Sequence, residues 1–149
     1  MYKKDIYTIQ SNEPLTPAVY RMVLEGDTQY VTRSGQFINI ELEGKFLRRP
    51  ISVSDYDAKT ITIIYKVVGE GTRQMCASAA PGTTLDLLTG LGNGFDCSKA
   101  ADKTLLVGGG VGVPPLYNLA KRLLSEGRQV TAVLGFNTAS EIFYEEGIR

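Results

Sequence analysis

The sequence predicts a small antiparallel β-barrel followed by an α/β unit. Over about the first ninety residues, short alternating and β-branched stretches recur between turn signals, with no long amphipathic helix among them. Short strands at such regular spacing favour a barrel. Beyond Ala101 the order becomes strand, glycine-rich turn, helix and strand, which is typical of a parallel βαβ unit with a right-handed crossover. We therefore predict a barrel over residues 1–99 and the first part of an α/β domain over residues 100–149, with the boundary within Asp96–Asp102.

Several stretches of the first part have the alternation or the β-branched content of strands. The clearest is Thr60–Val68, which Gly69–Gly71 ends. A helix is predicted over Thr72–Ala80, with Thr72 as its N-cap and Pro81-Gly82 as its stop. The predicted strands are Ile6–Gln10, Val19–Leu24, Gln36–Leu42, Ile51–Asp55, Thr60–Val67 and Thr84–Leu88.

The second part contains two short strands, Thr104–Val107 and Gln129–Gly135, on either side of a helix that ends at Gly127. A further helix is predicted to begin over Ser140–Glu146. Two strands with one helix do not normally form a stable layer, so we expect the barrel, a partner or further chain to cover this unit. The apolar face of the first helix is predicted to contain Leu116, Leu119, Ala120, Leu123 and Leu124.

The composition excludes several classes of function. The chain has 149 residues, with 16 Lys and Arg, 16 Asp and Glu, two Cys and no His. Without His there is no Ser-His-Asp or Cys-His nucleophile and no histidine metal site, and two cysteines cannot supply the thiolates of an iron–sulfur cluster. The net charge of zero gives no basic field for nucleic acid or an anionic membrane. Neither a membrane-spanning apolar run nor a signal-peptide core is recognisable, so the cytoplasm is the expected location.

The segment Leu47–Val53 contains two neighbouring arginines, Arg48 and Arg49, before Pro50 and Ser52. Adjacent strand residues point to opposite faces, so at most one arginine can easily address a shared ligand. An arginine there suits a diphosphate, and a serine three residues later can hydrogen-bond a polar ring edge. The alternative is an edge strand in which Pro and Arg prevent further pairing.

Two glycine-containing turns could each hold a phosphate. Val67–Thr72 places glycines and a hydroxyl at a strand-to-helix turn, where free N–H groups and the helix dipole favour an anion, although an ordinary capped turn would also explain it. Gly108–Gly112 follows a strand and opens a helix, the context of a dinucleotide pyrophosphate site. It departs from the Rossmann fingerprint because Pro stands at the third glycine position. The strand ending at Gly135 is also followed by no acidic residue placed for a ribose.

Four ordered motifs, Leu47–Ser52, Val68–Arg73, Leu91–Phe95 and Gly108–Leu116, together resemble one family. Taken with Ile64–Lys66, they resemble the ferredoxin–NADP reductase superfamily and, more closely, the electron-transfer subunit of the NAD-linked dihydroorotate dehydrogenase. The resemblance covers essentially the whole chain. It implies a six-stranded antiparallel FAD-binding barrel followed by a partial parallel nucleotide-binding domain.

The resemblance also implies a cofactor site, in which Lys66 stands where relatives often have Arg. It assigns FAD phosphate binding to Arg49, and the lining of the isoalloxazine to Pro50, Ile51 and Ser52. It assigns contacts from the next strand to Ile64, Tyr65 and Lys66, the pyrophosphate cradle to Gly71 and Thr72, and the nicotinamide nucleotide to Gly109, Gly110 and Gly112. No side chain is predicted to be catalytic, since a flavin carries the redox chemistry.

Relatives in this family continue through the rest of the α/β domain, a Cys-Gly-Pro segment and a group of cysteines that holds a [2Fe–2S] cluster. The chain resembles their earlier part, so we expect it to keep the FAD site, to have an incomplete NAD site, and to lack the cluster that full-length relatives carry. By resemblance, FAD would relay electrons between NAD and a dihydroorotate dehydrogenase catalytic subunit, in a heterotetramer that serves pyrimidine synthesis.

Two alternative interpretations stay open. One is the related flavoprotein subunit of a sulfide dehydrogenase or of an NADH-dependent ferredoxin–NADP reductase, and the gene neighbourhood would distinguish these from the orotate branch. The other is a non-catalytic barrel module that docks a partner and binds no flavin. A colourless protein that takes up no FAD would favour this second alternative.

Overall fold

The computed structural model describes residues 1–144. None of the helices in this range is long and apolar enough to cross a bilayer. The strands of the first part are β1 (Lys3–Pro14), β2 (Val19–Glu25), β3 (Phe37–Ile40), β4 (Arg49–Tyr56), β5 (Thr60–Lys66) and β6 (Thr84–Leu91), with helix α1 (Glu70–Ser78) between β5 and β6. The second part contains β7 (Lys103–Gly109), α2 (Pro114–Ser125) and β8 (Gln129–Gly135).

The first part is a closed antiparallel barrel with the strand order β1-β2-β5-β4-β3-β6. Strand β5 is mostly apolar in sequence because all of its residues from Ile61 to Tyr65 are buried. Ile61, Ile63 and Tyr65 belong to the barrel core, whereas Ile64 packs outside it against Val113 of the second part. Both faces of this strand are therefore covered. The predicted six-stranded barrel is confirmed.

The second part contains the predicted parallel strand pair, with Lys103 opposite Gln129 and Gly109 opposite Gly135. Helix α2 covers one face of this pair, and Leu106 of β7 packs against Leu116, Leu119, Ala120 and Leu123 of the helix. The prediction that Leu124 shares this face is wrong, since Leu124 is more than half exposed. It follows Leu123 by one position, which turns it about 100° around the helix.

Helix α2 also packs against the barrel. Asn118 donates to the Asp55 carboxylate of β4 at 2.9 Å and receives the Ser34 hydroxyl, while Lys121 pairs with Asp55 at 2.7 Å. The barrel thus covers the βαβ unit from the helix side. This is one of the three kinds of cover that the sequence analysis expected. On the opposite face of the strand pair, apolar side chains are exposed, namely Leu105, Val107 and Val133.

The start of α1 differs from the prediction. The helix begins at Glu70 with Gly69 as its N-cap, so Thr72 is the third residue of the helix rather than its cap. The Thr72 hydroxyl accepts from the backbone N–H groups of Val68 and Gly69 at 3.0 and 3.1 Å. It therefore reaches back across the turn and satisfies two donors from inside the helix. The helix ends at Ser78, before the predicted stop at Pro81-Gly82.

The helix predicted over Ser140–Glu146 is wrong within the described residues. A short 3-10 turn covers Ala139–Glu141, and Ile142 then leaves it in an extended conformation. The apolar Phe143 packs against Val19, Ile64 and Val113 rather than onto a helical face. Residues 145 and 146 lie outside the described range. The division of the chain into residues 1–99 and 100–149 stays a prediction.

Candidate functional site

The most distinctive feature of the barrel wall is a gap between β4 and β5. Strand β5 pairs with β4 only as far as Val53 opposite Ile63. Beyond that point, β4 continues to pair with β3 from Ser52 to Arg49, and β5 continues to pair with β2 from Ile64 to Lys66. The two strands therefore separate, and their facing backbone groups are left to other partners. We call this gap, between Arg49–Ser52 and Ile64–Lys66, the seam.

A cavity of about 350 Å³ occupies the seam. Its two long walls are the two segments that the resemblance assigns to the cofactor, and the start of α1 and Val111 of the second part complete it. The lining combines apolar side chains with hydroxyl-bearing side chains and two cations. The lining residues are Arg49, Pro50, Ile51, Ser52, Ile64, Tyr65, Lys66, Val68, Thr72 and Val111.

The two neighbouring arginines, Arg48 just before β4 and Arg49 at its start, have different partners. The Arg48 guanidinium contacts the carboxylates of Asp86 and Glu41, at 2.7 Å in the case of Asp86, and the backbone oxygens of Asn39 and Asp86. Arg48 thus ties β4 to its neighbours. Arg49 instead lines the cavity, and among residues 1–144 its guanidinium donates only to the Leu47 carbonyl, at 2.7 Å. Within the described residues, Arg49 is the arginine of this pair that can bind an anion.

The first turn of α1 stands beside Arg49. Gly71 is buried directly behind the guanidinium, and a Cβ at this position would overlap Arg49 Nε. Gly71 therefore allows the guanidinium to lie against the helix, although Gly71 itself does not line the cavity. The first N–H groups of a helix have no intrahelical acceptor and carry partial positive charge. Arg49 and this helix start form one positive end of the cavity.

Tyr65 has a different role from its neighbours. Its ring is buried and stacks on Tyr20 at 5.9 Å between centroids, and its hydroxyl donates to Asn12 at 2.9 Å. Burial raises the pKa of this hydroxyl above its usual range. The Tyr65 side chain is therefore a protonated member of the barrel core. Tyr65 contributes to the seam from a fixed position and offers no titrating group to a ligand.

A second cavity, of about 550 Å³, adjoins the first at the carboxyl ends of β7 and β8. Gly109 and Gly110 line it, together with Gly135 and Asn137, whereas Gly112 lies in the adjacent turn and does not line it. Lys66 and Val111 border both cavities. A ligand in the second cavity would therefore lie next to one in the seam.

Glu141 is a lining residue that the sequence analysis missed. Its carboxylate accepts from Lys66 at 3.2 Å and from the Thr138 hydroxyl at 3.1 Å. The hydrogen bond from Lys66 is the main reason why the pKa of Glu141 lies below its usual range. The second cavity thus contains an acidic residue after β8, although not directly at the end of the strand, where the sequence analysis looked for a ribose ligand. Glu141 lies six positions after Gly135, so only the fold brings it back to the cavity.

The residues of the seam fit a planar ring joined to an anionic chain. Pro50, Ile51 and Ile64 form apolar walls, and Ser52 adds a hydroxyl. The positive end formed by Arg49 and α1 is suited to a diphosphate, because a guanidinium fork and helix N–H groups are both strong anion donors. FAD has this combination of groups. The adjoining glycine-lined cavity is placed to bring a second nucleotide to the same ring.

Comparisons with curated proteins agree with this geometry, although no protein-family model matches the chain. The dihydroorotate dehydrogenase B (NAD(+)), electron transfer subunit of Bacillus velezensis is 42% identical, over 99% of this chain and 60% of the relative. The subunit of the same name from Fusobacterium nucleatum is 43% identical, over 93% of this chain and 56% of the relative. The chain thus spans about three fifths of the length of these relatives.

Solved structures share the architecture. The NADH-dependent reduced ferredoxin-NADP oxidoreductase, described for flavin-based electron bifurcation, superposes with a TM-score of 0.84 at 30% identity, over 95% of this chain and 52% of that chain. The ferredoxin reductase of carbazole 1,9a-dioxygenase superposes with a TM-score of 0.88 over 99% of this chain and 46% of that chain. At 22% identity it shows the fold alone. Over nearly its whole length, the chain is therefore a homologue of the dihydroorotate dehydrogenase B electron transfer subunits, with the fold of the ferredoxin reductases.

Proposed function

We propose that the chain is the FAD-binding part of a dihydroorotate dehydrogenase electron-transfer subunit. The observation that carries this proposal is the seam, whose apolar slot ends at Arg49 and the start of α1. A positive end of this kind would stabilise a bound anion and would contribute little to binding an uncharged ligand. The homology to subunits of that name supports the same cofactor class.

Each wall of the seam has a defined task in this proposal. Arg49 and the N–H groups at the start of α1 bind the diphosphate, and Gly71 and Thr72 keep that turn in place. Pro50, Ile51 and Ile64 exclude water from the faces of the ring. Ser52 and the free backbone groups along the seam hydrogen-bond its polar edge, which is how a protein tunes a flavin.

When bound, FAD supplies the chemistry that the side chains lack, by accepting a hydride and releasing single electrons. The chain positions the nicotinamide nucleotide in the second cavity, next to the ring. Lys66 borders both cavities, and its charge is neutralised by Glu141, which lines the second cavity. The electrons would pass to or from a dihydroorotate dehydrogenase catalytic subunit in pyrimidine synthesis.

The alternatives differ in their support. The NADH-dependent ferredoxin–NADP oxidoreductase is 30% identical, whereas the dihydroorotate dehydrogenase subunits reach 42% and 43%. This difference favours the orotate branch. A barrel that only docks a partner would not require the positive end of the seam.

The test is direct binding of FAD to the purified chain. We expect a yellow protein that retains FAD through gel filtration, and a flavin titration followed by fluorescence gives the dissociation constant. Replacing Arg49 with Ala removes the paired donor of the diphosphate and should weaken FAD binding by about tenfold or more. The matched control is Arg122→Ala, since Arg122 lies on the last turn of α2 and outside the seam. Unchanged FAD affinity in Arg49→Ala would remove the phosphate role from Arg49.

The partner is tested separately, by co-expression with the catalytic subunit of a dihydroorotate dehydrogenase. We expect the two chains to elute together in size-exclusion chromatography. Separate elution, with FAD still bound, would leave the cofactor proposal standing and contradict the assignment of the partner.

A further inference from the structure

Phe46 is a fully exposed aromatic residue on a loop that is otherwise well anchored. The loop joins β3 to β4, and the Phe46 side chain is 99% exposed. On one side of it, Gln74 of α1 donates to the Glu43 carbonyl at 2.7 Å and Lys45 pairs with Glu70. These contacts attach the loop to the helix whose start forms the positive end of the seam.

The other side of the loop is anchored by the seam itself. Arg49 donates to the Leu47 carbonyl, so the residue that lines the cavity also fixes the backbone next to Phe46. An exposed phenyl ring on a backbone fixed from both sides is a preformed apolar surface. Exposing it costs hydrophobic free energy that a bound partner would recover.

The seam provides no comparable surface for a purine. Among the described residues that line it, the only aromatic one is Tyr65, whose ring is buried in the barrel core and stacked on Tyr20. A diphosphate at Arg49 and Thr72 occupies the end of the cavity, so the adenosine attached to it must lie beyond these residues. The loop that contains Phe46 borders this end through Lys45, Leu47 and their contacts.

We propose that the Phe46 ring is the platform on which the adenine of FAD stacks. This inference rests on the proposed function, because it names the residue that binds the far end of the same cofactor. Stacking on an aromatic side chain needs only the π-face of a base, and a planar ring presented to solvent offers that face at little ordering cost. Leu47, the next residue in the chain, is about two thirds exposed and adds apolar surface beside it.

The experiment compares FAD with FMN, which lacks the adenosine. Both flavins are titrated against the purified apoprotein, and dissociation constants are measured by fluorescence. The Phe46→Ala variant should bind FAD about tenfold more weakly, with unchanged FMN affinity, because only FAD loses a stacking partner. The Phe46→Tyr variant should bind FAD like the wild type. The matched control is Tyr2→Ala, which removes an exposed aromatic residue that does not line the seam.

Each outcome has a defined meaning. A loss of FAD affinity with FMN unaffected, restored by Phe46→Tyr, supports the platform. Equal FAD affinity in wild type and Phe46→Ala overturns it. So does an equal loss for both flavins. If Phe46→Ala keeps FAD but no longer co-elutes with a catalytic subunit, the exposed ring binds a protein partner and the platform is likewise overturned. Failure of the wild type to bind either flavin contradicts the proposed function itself.

Discussion

At the scale of single residues, the site depends on how closely Arg49 can lie against α1. Gly71 leaves room for the guanidinium, and any side chain at this position would move it. Arg48, one residue earlier, cannot replace it, because its guanidinium is already bound by Asp86 and Glu41. The specificity of this end of the seam is therefore set by a single arginine and the glycine behind it.

Gly71→Ala should weaken FAD binding without weakening the fold. The new Cβ displaces the Arg49 side chain, whereas alanine is a better helix former than glycine by about 1 kcal/mol. We expect a severalfold loss of FAD affinity with an unchanged or higher free energy of unfolding of the apoprotein. If the effect acts through Arg49, adding Gly71→Ala to Arg49→Ala should cause little further loss. Additive losses in the double variant would mean that Gly71 acts by another route.

Asp27 should make the protein sensitive to acid. Its pKa is lowered from the usual 3.8 to about 2, chiefly by the backbone N–H of Gln29, then by the Gln29 side chain and Lys3. The unfolded state therefore binds more protons between these values, so Asp27 stabilises the fold above about pH 4 and this contribution is lost as pH falls towards 2. Urea unfolding at several pH values should show a steeper acid loss for the wild type than for Asp27→Asn. Parallel curves would contradict this role.

At the scale of elements, α1 owes its position to a side chain inside its first turn. The Thr72 hydroxyl accepts from Val68 and Gly69, which are the last residues before the helix. Thr72→Ala should therefore lower the free energy of unfolding of the apoprotein by about 1 kcal/mol. The Thr72→Ser variant should keep most of the wild-type free energy of unfolding, since the hydroxyl remains. Chemical denaturation without flavin measures both, and equal losses in the two variants would show that the methyl group matters instead.

Sequence patterns predicted the elements well where local physics decides them. Every strand and both regular helices occur near their predicted positions, because alternation and apolar periodicity follow directly from which face is buried. Failures occurred where distant contacts decide. Phe143 packs against β2 and β5 instead of continuing a helix, and Glu141 reaches Lys66 across 75 residues of sequence.

The candidate site was also only partly predictable, because part of it depends on contacts between distant segments. The motifs indicated which segments have phosphate-binding patterns, and the resemblance assigned them to FAD and to a nicotinamide nucleotide. The seam itself depends on where two antiparallel ladders part, at Val53 and Ile63, and register between strands is not visible in a single sequence. The exposed ring of Phe46 is equally invisible there, since apolar residues are usually buried.

At the scale of the whole molecule, one polar cluster connects the barrel to the second part. Asn118 of α2 bonds both Ser34 and Asp55, and Lys121 adds a more exposed ion pair to Asp55. The cluster fixes how α2 lies on β4, and therefore how the glycine-lined cavity meets the seam.

Asn118→Ala should destabilise the protein by about 1–2 kcal/mol, because two partly buried groups lose their partner. Lys121→Ala should cost less, at most about 1 kcal/mol, since half of that side chain is exposed and solvent screens the pair. Urea denaturation followed by circular dichroism measures both free energies. If the order were reversed, the ion pair rather than the amide would hold the two parts together.

The seam also leaves the hydrogen-bond ladder of the barrel incomplete between β4 and β5. Where β4 and β5 part, their backbone groups need water or a bound molecule to complete their hydrogen bonds. A ligand that fills this opening would shield those amides from exchange and would stabilise the native state, by an amount that rises with the logarithm of its free concentration. The lifetime of this protein in a cell would then follow the abundance of its cofactor, with the empty form the one more readily degraded.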